Sequence, residues 1–397
     1  MTYKLSQRSQ KIKPSPTLTL SAKAQNLKAA GQPVLNLAVG EPDFDTPEHI
    51  KAAAIKAIQD GFTKYTAVEG IMPLREAIVQ KFKTENNISY NTNQVMVSCG
   101  GKQVFYNLAQ AYLNEGDEVL IPAPYWVSYP DMVLLANATP KVIETTADTA
   151  HKLTPALLEA ALSPKTKMLV LNSPSNPSGM AYTLAELKAL TEVLKKYPDV
   201  LIVSDDIYEH SLWSMDFANI VMADASFQER TLILNGVSKT YAMTGWRIGY
   251  AAGPTELIQA MGMIQSQSTS NPCSIAQKAA LAALTGPQDF LTTSRNIFKK
   301  RHDTLIQQLN KIPGIHCTPS DGTFYTFPSV EGVLRNHPQF ADDLALSNYL
   351  LQKALLAVVP GSAFGSPGHL RLSFATSDAV LEESVTRLAE ALATIQA

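Results

Sequence analysis

Residues 231–251 read TLILNGVSKTYAMTGWRIGYA, in which two apolar runs flank a polar segment that contains glycine. The runs Thr231–Leu234 and Ile248–Ala251 have the length and composition of buried β-strands. Lys239 follows the first run, and Arg247 directly precedes the second. Open α/β sheets bind their ligands at strand ends, so this stretch predicts a buried sheet that carries a binding site.

Further apolar runs lie on the N-terminal side of this stretch. They are Val95–Ser98, Glu118–Pro122, Lys167–Leu171 and Val200–Ser204. Most of them are separated by stretches with amphipathic, helical spacing, such as Leu184–Lys196. Strands interleaved with helices are typical of an α/β layer with a mostly parallel sheet.

The two ends of the chain differ from this central region. A long polar helix is predicted at Asp289–Asn310, followed by short strands at Phe324–Phe327 and His369–Phe374 and a helix from Ser377. This order predicts a smaller α+β domain. The first 45 residues could pack on either part. Thr46-Pro47 is predicted to open the first helix of the large domain, with Thr46 as N-cap.

Composition limits the classes of function. The chain has 397 residues, of which 45% are hydrophobic and 17% charged, as in globular proteins with two or three domains. Its net charge of -2 offers no basic surface for nucleic acid or an anionic membrane, so we expect small-molecule substrates. The three cysteines are far apart, and no apolar run could span a bilayer or act as a signal peptide. We therefore expect a cytoplasmic protein.

Several common motifs are absent from the sequence. There is no Gly-x-Gly-x-x-Gly after a strand, no P-loop, no His-Glu-x-x-His and no Gly-x-Ser-x-Gly. The seven histidines are scattered, with no pair at metal-ligand spacing, so no metal is expected.

Two loops after predicted strands contain glycine or proline. Gly100 and Gly101 precede a helix predicted to start near Lys102, an arrangement that suits a phosphate, although a tight turn explains it equally well. Residues 172–179 read NSPSNPSG, and their prolines would hold the amide of Asn176 rigidly at the sheet edge. An ordinary proline-rich loop is the alternative for this second segment.

Charged residues also occur at strand ends. Asp205 and Asp206 follow a predicted buried strand, and Tyr208 comes two residues after them. Burying their carboxylates costs free energy unless one of them pairs with a cation or caps a helix. The apolar and aromatic surroundings of Lys239 would lower its pKa and activate the amine; a solvated surface lysine is the alternative. Arg371 lies on the polar face of its predicted strand and suits a carboxylate, unless it is simply exposed.

Together these segments resemble the class I/II aminotransferases of the pyridoxal-5′-phosphate (PLP) fold-type I family. The resemblance runs from the GEPDF segment at Gly40–Phe44 to Arg371–Ala375. It implies a large domain with a mostly parallel seven-stranded sheet flanked by helices, a smaller α+β domain, and a homodimer. The implied division is residues 1–45, packing with the small domain, residues 46–285 as the large PLP domain, and residues 286–397 as the small domain.

The resemblance also implies roles for individual residues. The catalytic residues would be Lys239, which forms the internal aldimine with PLP, Asp205, which pairs with the ring nitrogen, and Tyr208, which with Asn176 binds the ring oxygen. The other cofactor-binding residues would be Gly100, Gly101, Lys102, Trp126, Ser238 and Arg247, together with Tyr65 from the partner subunit. The substrate would be bound by Gly40, Trp126, Asn176, Arg371, Lys13 and Lys102.

Within the family, the sequence is most similar to a bacterial branch that acts on aspartate and often also on prephenate. The similar segments are Lys13–Ser15, Gly100–Gln103 and Ser266–Ser270. One departure is Asp206, where the branch usually has glutamate. The resemblance implies transamination between aspartate and 2-oxoglutarate in amino-acid metabolism. Prephenate, aromatic amino acids and alanine remain open as substrates, as does a PLP-dependent C–S β-lyase reaction. The PLP-binding part of a transcription regulator is disfavoured, since it would need a DNA-binding domain and a basic surface.

Overall fold

The computed structural model describes residues 3–14 and 16–395. The strands in these residues are β1 Leu35–Asn36, β2 Val95–Ser98, β3 Glu118–Pro122, β4 Thr139–Ile143, β5 Thr166–Asn172, β6 Leu201–Asp205, β7 Thr231–Gly236, β8 Gly249–Ala252, β9 Tyr325–Thr326, β10 Leu356–Ala357, β11 Val359–Pro360 and β12 Leu370–Ser373. The α-helices are α1 Gln7–Lys11, α2 Pro16–Ala29, α3 Glu48–Gln59, α4 Met72–Glu85, α5 Gly101–Tyr112, α6 Ser128–Leu135, α7 Pro155–Ala161, α8 Leu184–Leu194, α9 Ile220–Ala223, α10 Thr255–Ser266, α11 Ser274–Thr285, α12 Asp289–Leu309, α13 Glu331–Asn336, α14 Asp343–Lys353 and α15 Asp378–Ala393. None of these helices is long and apolar enough to cross a lipid bilayer.

The central feature is a seven-stranded sheet with the order β2-β8-β7-β6-β5-β3-β4. Only β8 runs antiparallel to its neighbours β2 and β7, which confirms the predicted mostly parallel α/β sheet. The six strands expected from apolar runs are all present, with ends that shift by no more than two residues. The seventh, β4, has no such run because it is a half-exposed edge strand in which only Ile143 is buried.

The inner strands are buried on both faces by helices. In β5, Leu169 and Leu171 face a core that also contains residues of α3, α4 and α11. Met168 and Val170 face the opposite core, formed with α5 and α10. Because both faces are apolar, polar side chains are confined to the strand ends, and this confinement locates the site.

A second group of elements has its own core, built largely from residues beyond 297. It contains the antiparallel sheet β11-β12-β9 and the parallel pair β1-β10, in which Leu35 is opposite Leu356. The N-terminal strand β1 therefore pairs with the C-terminal part of the chain. The domain boundaries given above stay a prediction.

The predicted N-cap at Thr46 is wrong. Helix α3 begins at Glu48 and Pro47 occupies the N-cap position. The Thr46 hydroxyl instead donates to the Ala242 carbonyl at 2.7 Å and accepts from the indole N–H of Trp246 at 3.0 Å. These long-range hydrogen bonds tie the start of α3 to the loop that carries Lys239, and the local sequence pattern could not reveal them.

Candidate active site

A cavity of about 490 Å³ lies at the carboxyl ends of β5, β6 and β7, facing β12. It is lined by eleven of the residues predicted from the sequence: Gly40, Gly101, Lys102, Trp126, Asn176, Asp205, Tyr208, Ser238, Lys239, Arg247 and Arg371. These residues are up to about 330 positions apart in the sequence. The ends of the parallel strands bring several of them together, and β12 adds Arg371.

Lys239 lies in this cavity in the loop after β7. Its ammonium Nζ donates to the Gly40 carbonyl at 2.6 Å. Burial lowers the pKa of Lys239 to about 8; the charge of Glu41 opposes this shift, and the charges of Arg371 and Arg247 add to it. An amine with this pKa is neutral at mildly alkaline pH, so it can act as a nucleophile or a base.

Asp205 ends β6 and is buried, with 4% of its surface exposed. Its Oδ2 accepts a hydrogen bond from the Tyr129 phenol, and its Oδ1 accepts one from the Ile207 amide at 3.3 Å. Burial raises the pKa of Asp205 to about 6, while these hydrogen bonds and the charge of Lys239 oppose the rise. The carboxylate is therefore a buried anion at neutral pH, suited to a protonated ring nitrogen.

Arg371 is buried, with 3% of its surface exposed, so the alternative of an ordinary exposed arginine is excluded. Its Nη1 donates to Asn176 Oδ1 at 3.0 Å, and its Nη2 donates to the Ala38 carbonyl at 2.7 Å. Its Nε has no hydrogen-bond partner, and no carboxylate among the described residues forms an ion pair with it. A buried guanidinium without an anion is costly, so this one is suited to an anionic ligand.

Tyr325 lies beside Arg371 and was not predicted from the sequence. The Arg371 guanidinium stands 4.3 Å from the centroid of the Tyr325 ring. The Tyr325 hydroxyl lies 3.3 Å from that of the buried Tyr208. Tyr325 is opposite Ser373 in the β9–β12 pair, so it is a diagonal neighbour of Arg371. The register of the β9–β12 pair cannot be predicted from the sequence.

The start of α5 forms another part of the cavity lining, through Gly101 and Lys102. Gly100 has a φ of 88°, and a Cβ there would collide with the Arg247 guanidinium. Arg247 donates to the carbonyls of Thr244 at 2.9 Å and Cys99 at 3.2 Å. A helix N-terminus beside an arginine is suited to a phosphate group. Gly100 itself is not part of the lining, but its lack of a side chain leaves room for the Arg247 guanidinium.

Charge in the cavity favours an anionic ligand overall. Its lining has four basic side chains, Lys102, Lys239, Arg247 and Arg371, and two acidic ones, Glu41 and Asp205. PLP has a phosphate, a ring nitrogen that takes up a proton, and an aldehyde that reacts with an amine. The start of α5, the Asp205 carboxylate and the Lys239 amine suit these three groups in turn. The residues of the cavity therefore fit PLP.

Comparison with known proteins agrees with this geometry. A sequence model described as "Aminotransferase class I and II" matches residues 32–388. The chain belongs to this aminotransferase family. The family uses PLP, so the predicted cofactor is confirmed, and so is the predicted fold.

Named relatives and solved structures are similar over nearly the whole chain. The aspartate/prephenate aminotransferase of Nitrosomonas europaea is 55% identical, covering 98% of this chain and 100% of the relative. That of Cereibacter sphaeroides is 54% identical, covering 95% and 96%. The crystal structure of the aspartate aminotransferase from Rhizobium meliloti is 44% identical with a TM-score of 0.94, covering 100% of both chains. The Thermus thermophilus aspartate aminotransferase with maleate is 41% identical with a TM-score of 0.93, covering 98% and 100%.

Besides Gly100, two predicted site residues of the aminotransferase lie outside this cavity. Tyr65 is 91% exposed, and Lys13 is also exposed. Burial raises the pKa of Asp131 in α6, and Lys13 opposes this rise through a backbone hydrogen bond and through its side-chain charge. The N-terminal segment lines the cavity through Thr17, Ser21 and Gln25, which are spaced four residues apart on α2. That spacing, one polar face of a helix, is the sequence signal that could have identified them.

We expect the pKa of Lys239 in the cofactor-free protein to respond to two charged neighbours in opposite directions. Arg371→Met removes a positive charge and should raise the pKa from about 8, whereas Glu41→Gln removes a negative charge and should lower it. The pKa is obtained from the rate at which an uncharged, amine-reactive acylating reagent modifies Lys239. This rate is measured as a function of pH by peptide mass spectrometry. Exposed Lys56 in the same sample controls for decay of the reagent. A wild-type midpoint near the ordinary lysine value of 10.5 would contradict the effect of burial.

Proposed function

We propose that this aminotransferase transfers the amino group of L-aspartate to 2-oxoglutarate, with PLP bound covalently to Lys239. The observation that carries the proposal is the buried Arg371, which has no carboxylate partner within residues 3–14 and 16–395 and lines the same cavity as Lys239. The names of the similar proteins support aspartate as the donor. Maleate, which is bound to the similar Thermus thermophilus enzyme, is likewise a four-carbon dicarboxylate.

The proposed cofactor contacts follow from the chemistry of each side chain. Asp205 would hold the proton of the ring nitrogen, Tyr208 and Asn176 would bind the ring oxygen, and Trp126 would stack on the ring. Gly100, Gly101, Lys102, Ser238 and Arg247 would surround the phosphate. When bound, PLP supplies an electron sink for the charge that develops at the substrate Cα.

Lys239 is the proposed base that moves the proton of the substrate Cα. A lysine with its ordinary pKa would remain an ammonium ion at neutral pH and could not accept this proton. Burial and the neighbouring arginines lower the pKa to about 8, which makes the neutral amine accessible. The 2.6 Å hydrogen bond to Gly40 holds Nζ inside the cavity, so the base needs little reorganisation.

Both carboxylates of aspartate have proposed partners. Arg371 and Asn176 would bind the α-carboxylate, with the Gly40 backbone closing over it. Lys102 and Lys13 would bind the distal carboxylate. Although Lys13 lies outside the cavity, its charge and that of Lys102 both act on Asp131, which supports their placement on one side of the site.

Prephenate is a second candidate substrate. The relatives from Nitrosomonas europaea and Cereibacter sphaeroides, at 55% and 54% identity, are both named aspartate/prephenate aminotransferases. Prephenate also has a carboxylate distant from its reacting carbon, so the same lysines would serve it.

A homodimer is the proposed assembly, with Tyr65 contributing to the site of the partner subunit. In support of this, Tyr65 is one of seven large hydrophobic residues on the large domain that are exposed in the single chain: Ile55, Ile58, Tyr65, Met72, Val142, Leu184 and Met263. Where such residues form a contiguous exposed patch, the patch is typical of surfaces that contact other proteins. We further propose a cytoplasmic location, supported by three cysteines that are all free thiols.

The absorption spectrum should report the half-reaction directly. Adding aspartate to the PLP-loaded protein should convert the band of the lysine-bound cofactor to that of pyridoxamine phosphate, and 2-oxoglutarate should restore it. Lys239→Ala should abolish turnover and leave some PLP bound without a covalent bond. A band that responds to alanine as fast as to aspartate would contradict aspartate as the donor. Release of pyruvate and ammonia from cystathionine would favour a lyase.

Removing a proposed distal lysine should change the choice of substrate. With PLP at saturation, Lys102→Ala should lower kcat/KM for aspartate roughly tenfold or more, the cost of losing a charged hydrogen bond. The value for alanine, which has no second carboxylate, should change far less. Lys13→Ala should act in the same direction, and the surface variant Lys56→Ala serves as control. Equal losses for both amino acids would rule out contact with the distal carboxylate.

Mixed dimers should reveal the shared site. Lys239→Ala subunits have no catalytic amine. We expect Tyr65→Ala subunits to weaken PLP binding in the site of the partner subunit. Hybrids of the two variants place both defects in one site and leave the other intact. Activity should therefore rise after mixing, measured at limiting PLP after mild dissociation and reassociation. If Tyr65 served its own subunit, mixing would restore nothing, because both sites of every hybrid would carry a defect.

A further inference from the structure

Tyr129 is a buried residue next to the cavity lining, directly after Ser128, and carries none of the roles described above. It belongs to the first turn of α6, three residues after Trp126, and only 1% of its surface is exposed. The Trp126 ring packs edge-on against it at 5.2 Å, and the Phe105 ring lies at 4.9 Å. These two rings hold the tyrosine in place, so its phenol has one fixed direction.

That direction is toward Asp205. The Tyr129 phenol donates to Asp205 Oδ2, while Oδ1 has only a long hydrogen bond of 3.3 Å from the Ile207 amide. One carboxylate oxygen is thus firmly bound by the protein, and the other is more available to a ligand. A hydrogen bond donated to a buried carboxylate also favours its charged form, against the effect of burial.

We propose that Tyr129 is a positioning residue that fixes the Asp205 carboxylate and keeps it anionic, so that Oδ1 can hold the proton on the ring nitrogen of PLP. This inference rests on the proposed role of Asp205. The phenol acts through the aspartate and touches neither substrate nor cofactor.

The groups around Asp205 are consistent with this role. Burial raises the pKa of Tyr129 well above its ordinary value, so the phenol keeps its proton and remains a donor at neutral pH. Lys239 is the cation whose charge acts on Asp205, and the buried phenol of Tyr208 is its other titratable neighbour in the cavity. Asp206 bonds instead to Ser204 and Asn219, so it does not compete for Tyr129.

The test compares Tyr129→Phe with the wild type in PLP binding. The dissociation constant of the cofactor-free protein for PLP is measured from pH 5 to pH 9, and the ¹⁵N chemical shift of labelled PLP reports protonation of its ring nitrogen. Loss of the donor should weaken PLP binding roughly tenfold at pH 7, because removing a hydrogen bond to a charged group typically changes an equilibrium constant by about this factor. On the acidic side, we expect wild-type PLP affinity to fall with a midpoint near the Asp205 pKa of about 6, and in the variant this midpoint should move upward. The ¹⁵N signal should move toward the neutral pyridine.

Two controls separate positioning from packing. Tyr182→Phe removes the hydroxyl of another buried tyrosine, which accepts a hydrogen bond from the Leu153 amide at 2.8 Å. This variant should leave the pH midpoint and the ¹⁵N shift unchanged. In an Asp205→Asn background, Tyr129→Phe should have little further effect, because the phenol acts through the carboxylate. If Tyr129→Phe does not fold, 3-fluorotyrosine at position 129 keeps the shape and donates more strongly, so the midpoint should move downward.

The outcomes distinguish this inference from the proposed function. If the wild-type protein does not bind PLP, the proposed function fails. If the wild type binds PLP but Tyr129→Phe has the same affinity, pH midpoint and ¹⁵N shift, Tyr129 only packs and this inference alone is overturned.

Discussion

The buried guanidinium of Arg371 is the constraint on which the site depends. Its two bonded nitrogens are held by Asn176, in the loop after β5, and by the Ala38 carbonyl of the N-terminal segment. Arg371 itself lies on β12, far along the chain. Two neutral hydrogen bonds offset only part of the cost of burying a charge, and the remaining Nε has no partner. An anionic ligand would complete the interaction, so ligand binding and the contact between these three segments stabilise each other.

The large sheet supplies the other half of the site. Its inner strands are apolar on both faces, so the polar residues of β5, β6 and β7 are concentrated where the strands end. Parallel strands place these ends at one edge, and this puts Asn176, Asp205 and Lys239 around one cavity. The small sheet adds Arg371 and Tyr325 to the lining of the same cavity. Neither part has a complete site by itself.

These features also explain how much could be predicted from the sequence. Buried parallel strands leave continuous apolar runs, so six strands of the large sheet and the residues that follow them were predicted. The edge strand β4 has one buried residue and no such run. Tyr129 and Tyr325 depend on tertiary packing and strand register, and Thr46 bonds across the fold to Ala242; none of these contacts leaves a local pattern. Resemblance supplied the roles of Tyr65 and Lys13, which no spacing in the chain predicts, and both lie outside this chain's own cavity.

Burial has opposite effects on the two titratable groups at the centre of the site. It raises the pKa of Asp205 to about 6 and lowers that of Lys239 to about 8. Both groups move toward neutrality, because a low-dielectric environment disfavours either charge. Asp205 nevertheless remains an anion above pH 6, since Tyr129 and the Ile207 amide donate to it, whereas Lys239 has the Gly40 carbonyl and two nearby arginines. At neutral pH Asp205 is therefore an anion, and Lys239 is still mostly protonated but gives up its proton far more easily than an ordinary lysine. An anionic carboxylate at the ring nitrogen and an easily deprotonated amine at the reacting carbon are the two states that transamination requires.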